Sequence, residues 1–191
     1  MINKRGLLII LSGPSGVGKG TIRRQIMKMT DIKLHYSISM TTREPRRHEV
    51  DGVDYYFVTD EEFKQHVKNN DFLEWAEFVG HKYGTPKTKV EELRNEGKNV
   101  FLEIEINGAN QVLSKVDPEG VVSIFLMPPS LKQLEERIRR RKTESEELIQ
   151  KRLQKGIREI KEAHKYDYVV INDRIKRAAA EILDIIRSKL D

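Results

Sequence analysis

Hydrophobic residues gather in short continuous runs that are separated by longer mixed segments. The runs have the length of strands and lie at residues 7–11, 100–104, 121–126 and 168–171. Strands that are apolar at consecutive positions are typical of a parallel sheet buried on both faces. Helical segments lie between the runs, the first of them around residues 22–29. This alternation predicts an α/β fold with a parallel sheet core flanked by helices.

Several helix starts are marked by capping-box spacing, in which Ser or Thr precedes Glu or Gln by three residues. This spacing occurs at Thr59, Thr88, Ser130 and Thr143. Gly97 predicts the end of the helix that begins near Thr88. The last helix carries an apolar stripe that predicts core packing. The stripe consists of Ile175, Ala179, Ile182, Leu183, Ile186 and Leu190.

Two segments differ from the strand–helix alternation. Residues 36–84 contain short alternating or clustered runs at 55–58, 72–79 and 81–83. These runs predict short antiparallel strands in an insertion carried on the parallel core. Residues 129–156 are predicted to be helical and are very basic. Their cationic side chains include Arg137, Arg139, Arg140, Arg141, Lys142, Lys151 and Arg152.

Bulk composition narrows the class of protein without selecting a function. The 191 residues fit one domain, and the absence of cysteine excludes disulfides, thiol catalysis and cysteine-bound metals. No apolar stretch approaches the roughly 20 residues that span a bilayer, so we expect no membrane association and a cytoplasmic location. The 35 Lys and Arg against 30 Asp and Glu suit a polyanionic ligand, but a solvated surface has the same balance.

A glycine-rich loop follows the first predicted strand and precedes the first predicted helix. It matches G-x-x-x-x-G-K, and its context is that of a phosphate-binding loop. Glycines let successive backbone N–H groups turn toward phosphate oxygens, and the following helix directs its positive end to the same place. The predicted ATP-binding residues are Gly13, Pro14, Ser15, Gly16, Val17, Gly18, Lys19, Gly20 and Thr21.

The loop departs from the common pattern at Gly20, where Ser or Thr usually follows the lysine. Thr21, one position later, is then the candidate hydroxyl for Mg²⁺, either directly or through water.

A second candidate anion site contains Arg43 and Arg46, which flank Pro45. Paired guanidinium groups suit one phosphate group, although two arginines on a polar loop also suit a solvated surface. Farther along, Glu74 interrupts an apolar segment. Its carboxylate can accept two N–H bonds from guanine, which adenine does not offer. An edge-strand charge that faces water is the alternative for Glu74.

Together these segments resemble the guanylate kinase family over residues 7–173. The matching segments are Ser-Gly-Pro-Ser-Gly-Val-Gly-Lys-Gly-Thr at 12–21, Thr-Thr-Arg-Glu-Pro-Arg at 41–46, Asp-Gly-Val-Asp-Tyr at 51–55, Glu-Trp-Ala at 74–76, Tyr-Gly-Thr at 83–85 and Pro-Pro-Ser at 128–130. The resemblance implies a P-loop nucleoside monophosphate kinase fold. It divides the chain into a core at about 1–35, 86–128 and 157–191, a GMP-binding region at about 36–85 and a helical lid at about 129–156.

The resemblance also implies roles for single residues. The GMP phosphate would be held by Arg43, Arg46, Tyr55 and Tyr83. Guanine would be read by Ser39, Glu74 and Thr85, with Asn172 near the adenine of ATP. The catalytic set would be Lys19, Arg43, Arg137, Arg141 and Arg152.

The chain departs from the family pattern at two positions. Glu105 stands where the family usually has Asp, and Asn107 stands where it usually has Gln. The role of Glu105 near GMP and hydrated Mg²⁺ is therefore the least direct transfer. The implied partners are ATP with Mg²⁺ and GMP, with dGMP as a further acceptor to be tested, and neither nucleic acid nor a membrane. The oligomeric state is left undetermined.

Three other functions are compatible with parts of the pattern. A guanylate-kinase-like module that binds a phosphorylated peptide would keep the arginine loop but has little use for Lys19. A related kinase with another acceptor would share the phosphate loop. An RNA-binding protein would use the basic segment, but the aromatic residues are not interleaved with its arginines.

Overall fold

The computed structural model of the chain describes residues 4–78, 80–140 and 145–190. Within these ranges the strands are β1 (Leu8–Ser12), β2 (Leu34–Tyr36), β3 (Met40–Thr41), β4 (Tyr56–Phe57), β5 (Phe72–Phe78), β6 (His81–Pro86), β7 (Asn99–Glu103), β8 (Val121–Met127) and β9 (Tyr168–Ile171). The helices are α1 (Lys19–Met29), α2 (Asp60–Lys68), α3 (Lys87–Asn95), α4 (Ile106–Leu113), α5 (Leu131–Arg139), α6 (Glu146–Ile160) and α7 (Ile175–Arg187).

The predicted parallel sheet is confirmed, and its strand order is β2-β7-β1-β8-β9. Alternate residues of β1 enter two separate cores, as the two-residue period of a strand requires. Ile9 and Leu11 pack with α1 and α7, whereas Leu8 and Ile10 pack on the other face, toward α4. Because β1 lies in the centre of the sheet and both of its faces are covered, its run is continuously apolar.

A second sheet has the order β4-β3-β6-β5 and belongs to the segment that was predicted as an insertion. The antiparallel prediction is confirmed for β5 with β6 and for β3 with β6. It is wrong for the run at 55–58, because β4 pairs with β3 in parallel. A loop of residues 42–55 joins these two strands, and such a crossover lets the chain return in the same direction.

The helix starts were predicted with mixed success. Thr59 forms a complete capping box with Glu62, and the Ser130 hydroxyl accepts from the backbone N–H of Gln133. The prediction at Thr88 is wrong: α3 begins at Lys87, whose N–H donates to the Asp71 carbonyl at 2.7 Å instead of to a capping side chain. The N-cap of α6 is Ser145, while Thr143 lies outside the described residues.

Two other predictions concern helix ends and packing. Gly97 follows the end of α3 with a φ of 77°, which confirms it as a stop signal. The four central residues of the apolar stripe on α7 are buried, as predicted. Its two end residues, Ile175 and Leu190, are exposed, so the stripe contributes to the core over a shorter length. No helix in the described ranges is long and apolar enough to cross a membrane.

Arg94 is a buried cation in α3 with only 2% of its surface exposed. Its Nε donates to the Gly6 carbonyl at 3.0 Å, and the Gly6 N–H donates back to the Arg94 carbonyl at 2.8 Å. Its Nη2 lies 3.4 Å from the carbonyl of Gly120, which also accepts from Leu8 N–H. Arg94 thus ties α3 to the residues that precede β1 and β8.

Replacing Arg94 by Met should lower the free energy of unfolding by about 1–3 kcal/mol, because the Gly6 carbonyl loses its donor in a buried place. Urea denaturation measures this change, with Lys89→Met on the exposed face of α3 as the control. Equal stability of the two variants would contradict the structural role of Arg94.

Candidate active site

The glycine-rich loop joins β1 to α1 and holds Lys19 beneath it. Gly18 has a φ of 103°, and an added Cβ would lie 2.9 Å from Nδ2 of Asn172. The position therefore requires a residue without a side chain. The Lys19 ammonium donates to the Gly13 carbonyl at 2.7 Å and lies 3.1 Å from Oε1 of Glu105. With 9% exposure, this cation is held at the base of the loop instead of extending into solvent.

Glu105 reaches Lys19 because two parallel strands are neighbours. It is the N-cap of α4 and follows β7, which pairs with β1. About half of its side chain, 48%, is exposed. Partial loss of water opposes its charge, but Lys19, Lys155 and Arg152 outweigh that effect and lower the pKa of the carboxyl group. Glu105 is therefore ionised at neutral pH and adds negative charge beside the loop.

Gly20, the departure from the common loop pattern, lies close to a carboxylate of β7. An added Cβ would lie 3.3 Å from Oε1 of Glu103, a carboxylate whose Oε2 accepts from Arg23 Nε at 2.8 Å. The Thr21 hydroxyl lies at the start of α1, 3.5 Å from Nη2 of Arg24. In the described part of the chain, no group of three or more His, Asp or Glu side chains could hold a metal ion.

Basic side chains from α5 and α6 lie on the glycine-rich loop. Arg137 donates to the carbonyls of Val17 at 2.9 Å and Asn172 at 2.8 Å, and Arg152 donates to the Ser15 hydroxyl at 2.8 Å. Asn172 is buried and donates from Nδ2 to the Val17 carbonyl at 2.8 Å. Arg137, Arg152 and Asn172 are thus together at the loop, whereas Arg141 lies outside the described residues.

A carboxylate from α6 also contacts the loop. Oε2 of Glu159 accepts from the Ser15 N–H at 3.3 Å, and Lys155 lies 3.4 Å from Oε1 of the same carboxylate. Lys155 also approaches Glu105 at 4.0 Å. No pattern in the sequence indicates this role for Glu159, because a single acidic residue on a charged helix is usually solvated.

The arginine loop is organised around Glu49, which sequence reasoning also missed. Arg43 Nη2 donates to both carboxylate oxygens of Glu49, at 2.9 and 2.8 Å, while its Nη1 donates to the Glu44 carbonyl at 2.7 Å. The Arg46 N–H donates to the same carboxylate at 2.8 Å. Burial opposes the charge of Arg43, but Glu49 and Tyr83 outweigh it and raise the pKa of the guanidinium group.

Two tyrosines lie beside Arg43. The rings of Tyr55 and Tyr83 lie 6.0 Å apart, and the Arg43 guanidinium lies 5.5 Å from the centre of the Tyr55 ring. Arg46 is exposed, and its charge acts on the Glu49 carboxylate. Ser39 precedes β3, and its carbonyl accepts from Tyr56 N–H at 2.9 Å. Arg43, Tyr55 and Tyr83 therefore form one cluster.

Glu74 is buried in β5, which rules out the alternative of an exposed edge-strand charge. It is 6% exposed, and the Thr85 hydroxyl on β6 donates to its Oε1 at 2.5 Å. Burial raises the pKa of Glu74 to about 7, although Thr85 and Lys115 act in the opposite direction. A buried carboxyl group with one partner hydroxyl is suited to accept further N–H donors from a ligand.

The raised pKa of Glu74 predicts a dependence of stability on pH. Between the ordinary value of 4.5 and about 7, the native state holds a proton that the unfolded chain has released. The free energy of unfolding therefore falls as the pH rises through this window, by up to about 3 kcal/mol from this group. Glu74→Gln does not titrate and should lack this part of the decline.

Urea denaturation of both proteins across the window measures the difference. Parallel curves for wild type and variant would contradict the raised pKa. Thr59→Ala, which alters an exposed cap, controls for general loss of stability.

Comparison with known proteins agrees with this geometry. A family model described as guanylate kinase matches residues 5–189. A guanylate kinase of Mesoplasma florum is 54% identical over 185 residues, which cover 97% of this chain and 62% of that protein. One of Onion yellows phytoplasma is 51% identical over 188 residues, which cover 98% of this chain and 88% of that protein. The crystal structure of guanylate kinase from Anaplasma phagocytophilum aligns with a TM-score of 0.79 at 33% identity, covering 99% of this chain and 88% of the other.

Because the family model spans nearly the whole described chain and these relatives share about half of its residues, this protein belongs to the guanylate kinase family.

Proposed function

We propose that this chain transfers the γ-phosphoryl group of ATP to GMP, giving ADP and GDP. The proposal rests on one observation: the glycine-rich loop and the buried Glu74 both lie against helix α4. A loop of backbone amides with Lys19 lies at the N-terminal end of α4, beside Glu105, and the buried carboxyl group of Glu74 packs on the same helix. The first site suits a nucleoside triphosphate, and the second suits a base that offers N–H donors.

In this proposal the acceptor nucleotide binds the second sheet and its loops, at about residues 36–85. Arg43, Arg46, Tyr55 and Tyr83 hold the phosphate group. Glu74, assisted by Thr85 and Ser39, accepts hydrogen bonds from N1–H and the 2-amino group of guanine. Adenine lacks both donors, so it would leave a buried carboxyl group without partners.

ATP binds the loop of residues 13–21, with Asn172 near its adenine and the core supplied by the parallel sheet. The helical segment at about 129–156 serves as a lid whose arginines reach the phosphates. Arg137 and Arg152 already lie at the loop, and Arg141 is assigned to the same group by its place in the sequence.

Electrostatics and positioning supply most of the catalysis. Each substrate is an anion and repels the other, so cations must surround both during an in-line transfer. Lys19 and the lid arginines reduce the charge on the transferring group, while Arg43 places the acceptor. No general base is needed, because the phosphate of GMP is already largely ionised near neutral pH.

The residues beside the loop fit a Mg²⁺ ion that is held mainly by nucleotide phosphates and water. Thr21 offers a hydroxyl, and Glu103 and Glu105 offer carboxylates that are also engaged by Arg23 and Lys19. When bound, the ion would add positive charge beside the β- and γ-phosphates.

A non-catalytic module that binds a phosphorylated peptide remains the second candidate. Such a module needs the arginine cluster around Glu49 but has little use for the loop and its buried lysine. The contacts of Lys19 with Gly13 and Glu105 therefore favour the enzyme.

A panel of acceptors with ATP and Mg²⁺, scored by ADP release, tests the proposal. We expect kcat/KM for GMP to exceed that for AMP by a factor on the order of 10³ or more, because adenine offers no N–H donors to the buried carboxyl group of Glu74. The panel also includes dGMP, UMP and CMP. ADP release that is independent of GMP, or equal use of AMP, would refute the assigned reaction.

Lys19→Met tests the triphosphate site. Removing the ammonium group should lower kcat by a factor on the order of 10² or more without unfolding the protein, because the charge acts on the transferring group. Lys28→Met, an exposed position on the same helix, is the control. Retained turnover in Lys19→Met would remove this residue from the mechanism.

A further inference from the structure

Gly108 lies in the first turn of α4, although glycine is a poorer helix former than alanine. Its backbone is ordinary helix, so the local conformation does not require glycine. A neighbouring side chain does: an added Cβ would lie 2.5 Å from Oε2 of Glu74 and 3.0 Å from its Cδ. The missing side chain of Gly108 is thus the space in which the Glu74 carboxyl group lies.

The same face of α4 also holds the backbone of β5, the edge strand of the second sheet. The side-chain amide of Gln111 donates to the Trp75 carbonyl at 2.9 Å and accepts from the Trp75 N–H at 3.2 Å. Just beyond the helix, Lys115 donates to the Leu73 carbonyl at 3.2 Å. Positions 108, 111 and 115, which are three and four residues apart and therefore lie on one side of the helix, contact three consecutive residues of β5. Glu74 is the middle one of the three.

Gln111 acts on this edge as a neighbouring strand would. It satisfies both backbone groups of the residue next to Glu74, on the side where the sheet has no further strand. The strand segment that carries Glu74 is therefore fixed in position relative to α4. Glu105 is the N-cap residue of the same helix. Helix α4 therefore sets the position of Glu74 relative to the glycine-rich loop.

We propose that Gly108 and Gln111 are positioning residues that determine guanine specificity by setting the place of the Glu74 carboxyl group. This inference rests on the proposed role of Glu74 as the guanine reader. Gly108 leaves room for the carboxyl group, and Gln111 fixes the backbone that carries it. A methyl group at position 108 displaces the carboxyl group, so its two acceptor positions no longer match N1–H and the 2-amino group together.

Gly108→Ala separates this role from helix stability, since alanine is the better helix former. We expect kcat/KM for GMP to fall on the order of 10- to 100-fold, while KM for ATP stays unchanged, because the displacement affects only the Glu74 carboxyl group. The preference for GMP over IMP, which lacks the 2-amino group, should shrink. Ser114→Ala, at the exposed end of α4, is the control, and circular dichroism confirms folding.

A double-mutant cycle with Glu74→Asp tests the contact itself. The shorter side chain keeps its carboxyl group away from position 108, so Gly108→Ala should cost less than about 3-fold in the Glu74→Asp background. The same large loss in both backgrounds would overturn the proposal, because it would show that the methyl group acts elsewhere. An equal loss for GMP and IMP together with a raised KM for ATP would overturn it as well.

Gln111→Ala gives a second, independent variant. It should weaken GMP binding and reduce the preference over IMP with the KM for ATP unchanged, and Gln111→Glu, which keeps the acceptor but loses the donor to the Trp75 carbonyl, should reproduce most of the effect. Wild-type preference in both variants would remove Gln111 from the proposal. If Glu74→Ala left GMP kinetics intact, the proposed role of Glu74 in binding guanine would be wrong. That result differs from equal losses for Gly108→Ala in the wild-type and Glu74→Asp backgrounds, which would contradict only the role of Gly108.

Discussion

The contact of Lys19 with Glu105 depends on a single feature of topology, the adjacency of β1 and β7. Both strands run in the same direction and end at the same edge of the sheet, so the loop after one meets the helix cap after the other. Without that pairing, the loop would hold a lysine with no carboxylate beside it. The carbonyl of Gly13 completes the arrangement and keeps the ammonium group below the loop.

Helix α4 extends this arrangement from the parallel sheet to the second sheet. Its N-cap carries the carboxylate at the loop, while Gln111 within the helix and Lys115 just beyond it hold the strand that carries Glu74. The two sheets thus both contact α4. A shift of this helix would move the Glu105 carboxylate at the glycine-rich loop and the Glu74 carboxyl group together. Such sharing suits a reaction in which two bound anions must meet within a few ångströms.

The sequence predicted the parallel core well because strands buried on both faces leave a strong apolar signal, and the phosphate loop leaves a motif with a known context. It predicted less where the partners are remote. The parallel pairing of β4 follows from the course of a loop, and the start of α3 follows from a hydrogen bond to Asp71, neither of which has a local pattern. Glu49, Glu159 and Gln111 were missed for the same reason, since a single polar residue shows its partner only in three dimensions.

The contact between Glu159 and the Ser15 amide has a thermodynamic consequence for the loop. That N–H already has an acceptor, so an oxygen atom that takes its place exchanges one hydrogen bond for another. The net gain at this amide is then the difference between two anionic acceptors and not the full strength of a new bond. Under the proposed function, this exchange makes the binding of a phosphate oxygen at the Ser15 amide weaker than the same amide would give without Glu159.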